Sequence, residues 1–333
     1  MKVDFVILWV DGNDPAWQTE KKRYQQGKEN ESNSVNRYRD WKLLPYWFRS
    51  VEKFAPWVNR IHFVTWGHIP SFLNTNAPKL NIVKHDQFIP PECLPTFSSH
   101  AIEINIHRIP GLEECFVYFN DDMFLTRQLY QDNFFRDGLP CTYGGEVPLE
   151  LVGNIGIWQH AMINDLGIVN KNFSKKESVR KYRKKYVDKS YRWKDNIRTL
   201  ILEKFFPDYF TGFRNLHAPA AYKKSTFEAV WEREFEKMWK TSLDKFRTRD
   251  NVNQWVFLWW QIASGNFSPS VIDNLVLPIT DDTIDDLCEA IETQKYDYIC
   301  LNDPEGKIDF ENLSKRLKKS FEKLLPDKSI YEL

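Results

Sequence analysis

Asp4-Phe5-Val6-Ile7-Leu8-Trp9-Val10-Asp11-Gly12-Asn13-Asp14 is the stretch on which the fold turns. Residues 5–10 are short, apolar and rich in strand formers, and the Asp-Gly-Asn-Asp-Pro run at 11–15 stops them with a dense turn signal. Apolar side chains in an unbroken run, rather than alternating, point to a strand buried on both faces. Working outward, residues 61–65, 80–83 and 115–119 read as further strands. Residues 43–54 carry apolar side chains at helical spacing and end before Pro56. Residues 98–109 read as one helix, capped by Ser98 or Ser99, with Pro110-Gly111 beyond its end. The polar stretch 18–36 is expected to be a mobile loop. Strands alternating with helices predict an α/β sheet with at least some parallel pairing.

From about residue 155 the pattern changes. Residues 171–194 are strongly basic and interleaved with Tyr and Trp, and helical periodicity follows at 193–206, 225–246 and 253–264. The basic stretch reads either as a solvated helix face or as a grip on an anionic polymer or anionic lipid. The α/β alternation then returns, with a helix at 282–292, a strand at 296–301 and a helix at 310–325. In this last helix Phe310, Leu313, Leu317, Phe321 and Leu324 form one stripe. The simplest layout is a single catalytic domain, 1–333, with a helical, basic insertion at 155–265.

Composition narrows the functional classes. Across 333 residues, 46 Lys and Arg balance 46 Asp and Glu, so no nucleic-acid partner is implied. The best apolar run elsewhere, 256–260, is far short of the ~20 residues that cross a bilayer. The amino terminus is too short and too acidic for a signal peptide. Five cysteines lie in no metal-ligand spacing, and Cys115 and Cys300 sit in apolar runs, which favours a reducing, cytoplasmic setting.

Four groups of residues could carry chemistry. Trp9, Asp11, Gly12 and Asp14 close the first strand, where open α/β sheets bind ligands, and carboxylates with a glycine there suit a nucleotide. Asn120, Asp121 and Asp122 close the strand at 115–119, and paired acids at a strand end suit Mg²⁺ or Mn²⁺, hard cations that take oxygen ligands. Glu103 lies among apolar residues, with His107 one turn on. Arg37, Asp40, His217, Arg247 and Arg249 complete the set with mostly cationic groups, which phosphoryl transfer requires around the moving phosphate.

At these residues the sequence resembles the Stealth family, which includes bacterial capsular polysaccharide phosphotransferases and the catalytic part of animal GlcNAc-1-phosphotransferase. The resemblance runs through Asp4 to Asp14, then from Arg37-Tyr38-Arg39-Asp40 through Leu94 to Ser99 and Ala101-Ile102-Glu103 to Asn120-Asp121-Asp122. It continues at Leu216-His217-Ala218-Pro219 and on to Arg247, and ends at Ile299 to Asp303. It implies a Rossmann-like or GT-A-like mixed sheet, as in nucleotide-sugar transferases. It also implies that Glu103, Asp122, His217 and Arg247 are the catalytic positions. Trp9, Asp11, Gly12, Asp14, Arg37, Asp40 and Asn120 would bind the nucleotide sugar, while Asp121, Asp122, Asn302 and Asp303 would serve Mg²⁺ or Mn²⁺. The expected reaction moves a hexose- or N-acetylhexosamine-1-phosphate from a UDP-sugar to a saccharide or growing capsule polymer, releasing UMP. The acceptor's proton would pass to His217 or to Glu103. Two alternatives are a metal-dependent glycosyltransferase that releases UDP and a carbohydrate-binding subunit without activity.

Overall fold

The computed structural model describes residues 1–25, 39–215, 217–304 and 306–333. Its central sheet has the order β3-β2-β1-β4-β8. Strands β1 (Val3–Leu8), β2 (Ile61–Thr65), β3 (Leu80–Lys84) and β4 (Cys115–Phe119) are mutually parallel. The chain builds β1, β2 and β3 outward in one direction, then returns to lay β4 on the other side of β1. That reversal leaves a crevice at the carboxyl ends of β1 and β4, where sheets of this kind hold ligands. Strand β8 (Ala220–Lys223) joins β4 antiparallel, with Tyr118 opposite Ala220, so residues just before β8 arrive at the same carboxyl edge.

At the opposite edge Asp4, fully buried in β1, accepts from Asn59 Nδ2 at 2.7 Å and the Glu113 amide at 3.0 Å, and lies 3.0 Å from His62 Nε2. These partners offset the cost of a buried carboxylate and fix β1 against β2 and the start of β4.

Helices α1 (Pro15–Gln25), α2 (Leu44–Phe54) and α3 (Ser99–Glu103) lie within this first half. After β4 come β5 (Met123–Leu125), α4 (Gln131–Phe134), β6 (Phe135–Arg136) and β7 (Leu139–Thr142). The helical stretch holds α5 (Ile157–Asn172), α6 (Lys175–Tyr186), α7 (Trp193–Phe205), α8 (Lys224–Arg233), α9 (Phe235–Leu243) and α10 (Trp255–Ala263), with β8 inserted before α8. The chain ends with β9 (Ser268–Pro269), β10 (Asn274–Pro278), α11 (Ile284–Glu292), β11 (Tyr298–Asn302) and α12 (Phe310–Leu324). Strands β10, β11 and β5 form a second sheet, and β6, β7 and β9 a third.

One apolar cluster joins α2, α11 and α12 to the sheets through Trp47, Phe48, Phe119, Phe124 and Phe321. A second packs α8 and α10 on the other face through Phe116, Tyr222, Phe227 and Phe257. A third, around Tyr186, Phe210 and Trp259, belongs to the helical stretch.

Three expectations change. Residues 15–25 are helical, because Asp14 Oδ1 accepts the Trp17 amide at 2.7 Å as an N-cap and Trp17 is buried beside Phe97; residues 26–36 of the expected loop lie outside the described ones. The predicted 98–109 helix breaks after Glu103, where Asn105 Nδ2 donates to Ala101 O at 2.8 Å and Ser242 Oγ at 2.9 Å. The predicted 225–246 helix breaks at Glu234, whose carboxylate is held by Lys171 and Asn172 of α5 at 2.9 and 2.7 Å.

The break after Glu103 also separates it from His107, which is buried between the rings of Phe227 and Trp231 and pushed down to about 3, chiefly by burial. Its folded value lies below the ordinary ~6.5, so it costs nothing above that pH, and stability is lost as pH falls from 6.5 toward 3. Between pH 6.5 and 5 this one side chain is expected to remove about 2 kcal/mol. Urea unfolding of wild type and His107→Phe should show the difference between them changing by about that amount in favour of the variant; a difference flat with pH would refute the assignment.

Candidate active site

Where β1, β4, β8 and β11 converge, a cavity of about 720 Å³ opens, within the roughly 300–1,000 Å³ typical of small-molecule sites. Glu103, Asp122, His217 and Arg247 all line it, although up to 144 positions separate them along the chain. Trp9, Asp40, Asn120, Asp121, Asn302 and Asp303 line it as well.

Each side chain arrives by a separate piece of local structure. Asp121 and Asp122 form the turn between β4 and β5, and the Asp122 carbonyl accepts the Leu301 amide at 2.9 Å, so the end of β11 is pinned beside that turn. This brings Cys300, Asn302 and Asp303 to the acids. His217 precedes β8 with φ +40°, a left-handed backbone that is costly for a non-glycine residue, and its amide donates to Asn215 Oδ1 at 3.1 Å. Its Nε2 stands 3.8 Å from Asp122 Oδ2.

Arg247 sits on a loop tied by Asp244, which accepts from Thr248 Oγ1 and Asn251 Nδ2 at 3.1 and 2.6 Å. Phe246 stacks on Phe97, and Arg247 Nη2 donates to Ser99 Oγ at 2.5 Å. Glu103, 5% exposed at the end of α3, faces Arg247 and accepts the Gln254 amide at 3.5 Å.

The electrostatics follow from this crowding. Burial raises Glu103 above its ordinary range, partly countered by Arg247 and by hydrogen bonds from Ser99, Gln254 and Tyr118. Asp121 faces the cavity with protein on its other sides; that enclosure, then Asp122 and Asp40, pushes it up to about 7. Burial raises Asp122 to about 6, with the Cys300 thiol offsetting only part. Asp303 also rises to about 6 by burial, opposed by Arg39 at 2.9 Å. Burial lowers His217, with Glu103 acting the other way.

A divalent cation fits these residues. Asp122 Oδ1 is buried without a hydrogen-bond partner among the described residues, next to a second carboxylate that repels it. Ligand atoms of Asp122, His217 and Cys300 lie within 4.8 Å of one another. Asp121 and Asn302 line the same cavity and add the oxygens that hard cations take. Asp303 differs from the others because its carboxylate is engaged by Arg39.

The remaining nucleotide candidates are placed differently. Asp11, Gly12 and Asp14 follow directly on Trp9 and Val10, yet are not among the cavity's lining residues. Asp11 Oδ1 accepts the Asn13 amide at 2.9 Å, the Gly12 carbonyl accepts from Gln18 at 2.8 Å, and Asp14 caps α1. Arg37 lies outside the described residues. Several lining residues went unselected in the sequence: Trp41, His100, Trp158, Asn253 and Trp255. His100 sits three residues before Glu103 and could have been found by helical spacing; Trp158 and Asn253 offered no local signal.

Comparison with known proteins places the chain. Profiles described as Stealth protein CR1, conserved region 1, and Stealth protein CR2, conserved region 2, match residues 1–29 and 37–141. The chain is 39% identical over 338 residues to the capsular polysaccharide phosphotransferase WcwK of Streptococcus pneumoniae, covering 100% of this chain and 99% of that one. It is 39% identical over 341 residues to the receptor polysaccharide phosphotransferase WefC of Streptococcus gordonii, with 100% and 99% covered. It is 35% identical over 335 residues to the exopolysaccharide phosphotransferase cps2G of Lactiplantibacillus plantarum, with 99% and 96% covered. Among solved structures, the galactosyltransferase LgtC overlays 95% of both chains at 10% identity with a TM-score of 0.39. The chain belongs to the Stealth family, and it is a phosphotransferase. Among the described residues, no helix is long and apolar enough to cross a membrane.

Proposed function

We propose that this enzyme moves a hexose- or N-acetylhexosamine-1-phosphate from a UDP-sugar to a hydroxyl of a saccharide or growing polymer, releasing UMP, in capsular or exopolysaccharide synthesis. The observation that carries this reading is the meeting of Glu103, Asp122, His217 and Arg247 in one cavity, which Asp40, Asp121 and Asp303 also line. Chain segments from both halves of the protein line that cavity, which supports treating 1–333 as one catalytic unit with the 155–265 stretch inserted in it.

In this reading the acceptor oxygen attacks the sugar-proximal phosphorus, and the bond from that phosphorus to the bridging oxygen breaks. UMP leaves with that oxygen, and the anomeric bond stays intact. His217 takes the acceptor's proton; a positioned base contributes about 10²- to 10⁴-fold. Arg247 neutralises the non-bridging oxygens of the transferring phosphate, held in place by Ser99 and faced by Glu103. Glu103 thus serves Arg247, since its partners are Arg247, Ser99, Tyr118 and Gln254. Asp122, with Asp121 and Asn302, would hold the Mg²⁺ or Mn²⁺ that supplies charge neutralisation on the diphosphate. Trp9, Asp40 and Asn120 would contact the donor.

Donor labelled in its sugar-proximal phosphate tests the reaction. Label carried into the acceptor, with unlabelled UMP released, is the expected result; label in free UDP would make the enzyme an ordinary glycosyltransferase. The role of Arg247 is tested separately. Arg247→Lys keeps the charge but loses the planar fork, so kcat should fall about 10²-fold with KM changed little, because the lost interaction is strongest in the transition state. Steady-state kinetics on wild type and Arg247→Lys checks this, and a change confined to KM would contradict it.

A further inference from the structure

Helix α7 is inside out. Its buried face is Asp195, Thr199 and Leu202, of which two are polar. Asp195 is satisfied by Arg192 and Arg198 at 3.1 and 2.9 Å, and Thr199 Oγ1 accepts the Glu146 amide at 3.1 Å. The opposite face carries Trp193, Ile197, Ile201 and Phe205 at steps of four, exposed by 67, 45, 50 and 67%. The chain extends this surface beyond the helix with Phe206 and Tyr209, 55 and 65% exposed. A surface helix ordinarily turns its apolar stripe to the core; here the core side is filled by polar groups with partners, and the stripe is left outward. Contiguous exposed apolar surface of this kind marks a contact site.

The charge around the stripe says what it contacts. Between residues 175 and 205 there are 12 Lys and Arg against 4 Asp and Glu, in a chain whose total is 46 against 46. Helix α6 lies beside α7, tied to it by Arg183 and Glu203 at 3.4 Å and by Lys175 donating to the Leu202 carbonyl at 3.0 Å. Its Arg180, Lys181 and Lys184 are exposed, as are Lys194 and Lys204 on α7. Apolar side chains ending in Trp, Phe and Tyr, flanked by cations, are the composition of a helix lying in a lipid interface.

We propose that the α6–α7 face docks on an anionic phospholipid surface, with the α7 stripe entering the headgroup boundary and the flanking cations meeting lipid phosphates. The inference does not rest on the reaction proposed above, and its test needs no turnover. The full chain is sedimented with vesicles of phosphatidylglycerol and phosphatidylcholine in equal parts, and with phosphatidylcholine alone. Wild type should partition onto the anionic vesicles and release as salt is raised. The double variant Ile201→Ser/Phe205→Ser should bind about tenfold more weakly or less at an unchanged melting temperature, since both side chains are exposed. Lys181→Glu/Lys184→Glu should also weaken binding and flatten the salt dependence. Equal binding of wild type and the Ile201/Phe205 variant, or no binding by wild type, overturns the proposal. Concentration-dependent dimers of wild type that the apolar variant abolishes, without lipid binding, would overturn it in favour of contact between copies of the chain.

Discussion

Asp122→Asn is expected to lower turnover about a thousandfold, or roughly 4 kcal/mol of lost transition-state stabilisation, while the melting temperature stays the same or rises. The two halves of this expectation have one cause. In the free protein the Asp122 carboxylate is an enclosed charge beside Asp121, with one oxygen lacking a protein donor. An amide of the same shape removes that repulsion, so the fold loses nothing. In the proposed reaction, however, the cavity loses the anionic ligand best placed to hold a divalent cation against the donor's diphosphate. Thermal unfolding without metal, Mn²⁺ binding followed by electron paramagnetic resonance, and kcat should be measured on one preparation. Weakened Mn²⁺ binding with intact stability is the expected pattern. A large drop in melting temperature, or turnover near wild type, would remove Asp122 from the role given to it.

Lys175→Met is expected to destabilise the protein by about 3–5 kcal/mol. Lys175 is 1% exposed and its Nζ lies 2.7 Å from Glu146 Oε2, with a further hydrogen bond to the Leu202 carbonyl. Glu146, 2% exposed, also accepts from the Thr211 amide and hydroxyl at 2.6 and 3.0 Å. Removing the lysine strands the carboxylate in the interior, and that uncompensated charge, more than the lost attraction, sets the size of the effect. Lys175→Met with Glu146→Gln should therefore recover a substantial part, because glutamine still accepts from Thr211 without carrying a charge. Urea midpoints for the single and double variants decide it; a double variant no better than the single would show that packing, not charge, governs this position.

Much of the sheet was legible because its strands are short apolar runs closed by turn residues. The expected strands at 61–65 and 115–119 coincide with β2 and β4. Helix boundaries were less legible wherever a distant partner sets them. Nothing near Glu234 signals that Lys171 and Asn172 will hold its carboxylate, and nothing near Asn105 signals Ser242. Helix α1 was hidden by its polarity, since Trp17 is its one buried residue. The site was half legible. Carboxylates at strand ends could be read as facing a ligand crevice, but sequence spacing cannot bring Arg247 to Ser99 or His217 to Asp122. Those meetings depend on β8 running antiparallel to β4 and on the 244–251 loop tied by Asp244. The Asp11–Asp14 turn shows the converse: a signal suited to a nucleotide is also a sound way to start a helix.

Strand β8 has a consequence for the order in which the protein becomes competent. A ribosome that has released β1 through β4 and the turn after them has supplied the strands that floor the crevice, and Asp122, but neither His217 nor Arg247 yet exists. The strand that completes the wall emerges a hundred residues later, and Asn302 later still. A chain cut before β8 therefore lacks both His217 and Arg247, whatever becomes of its first four strands.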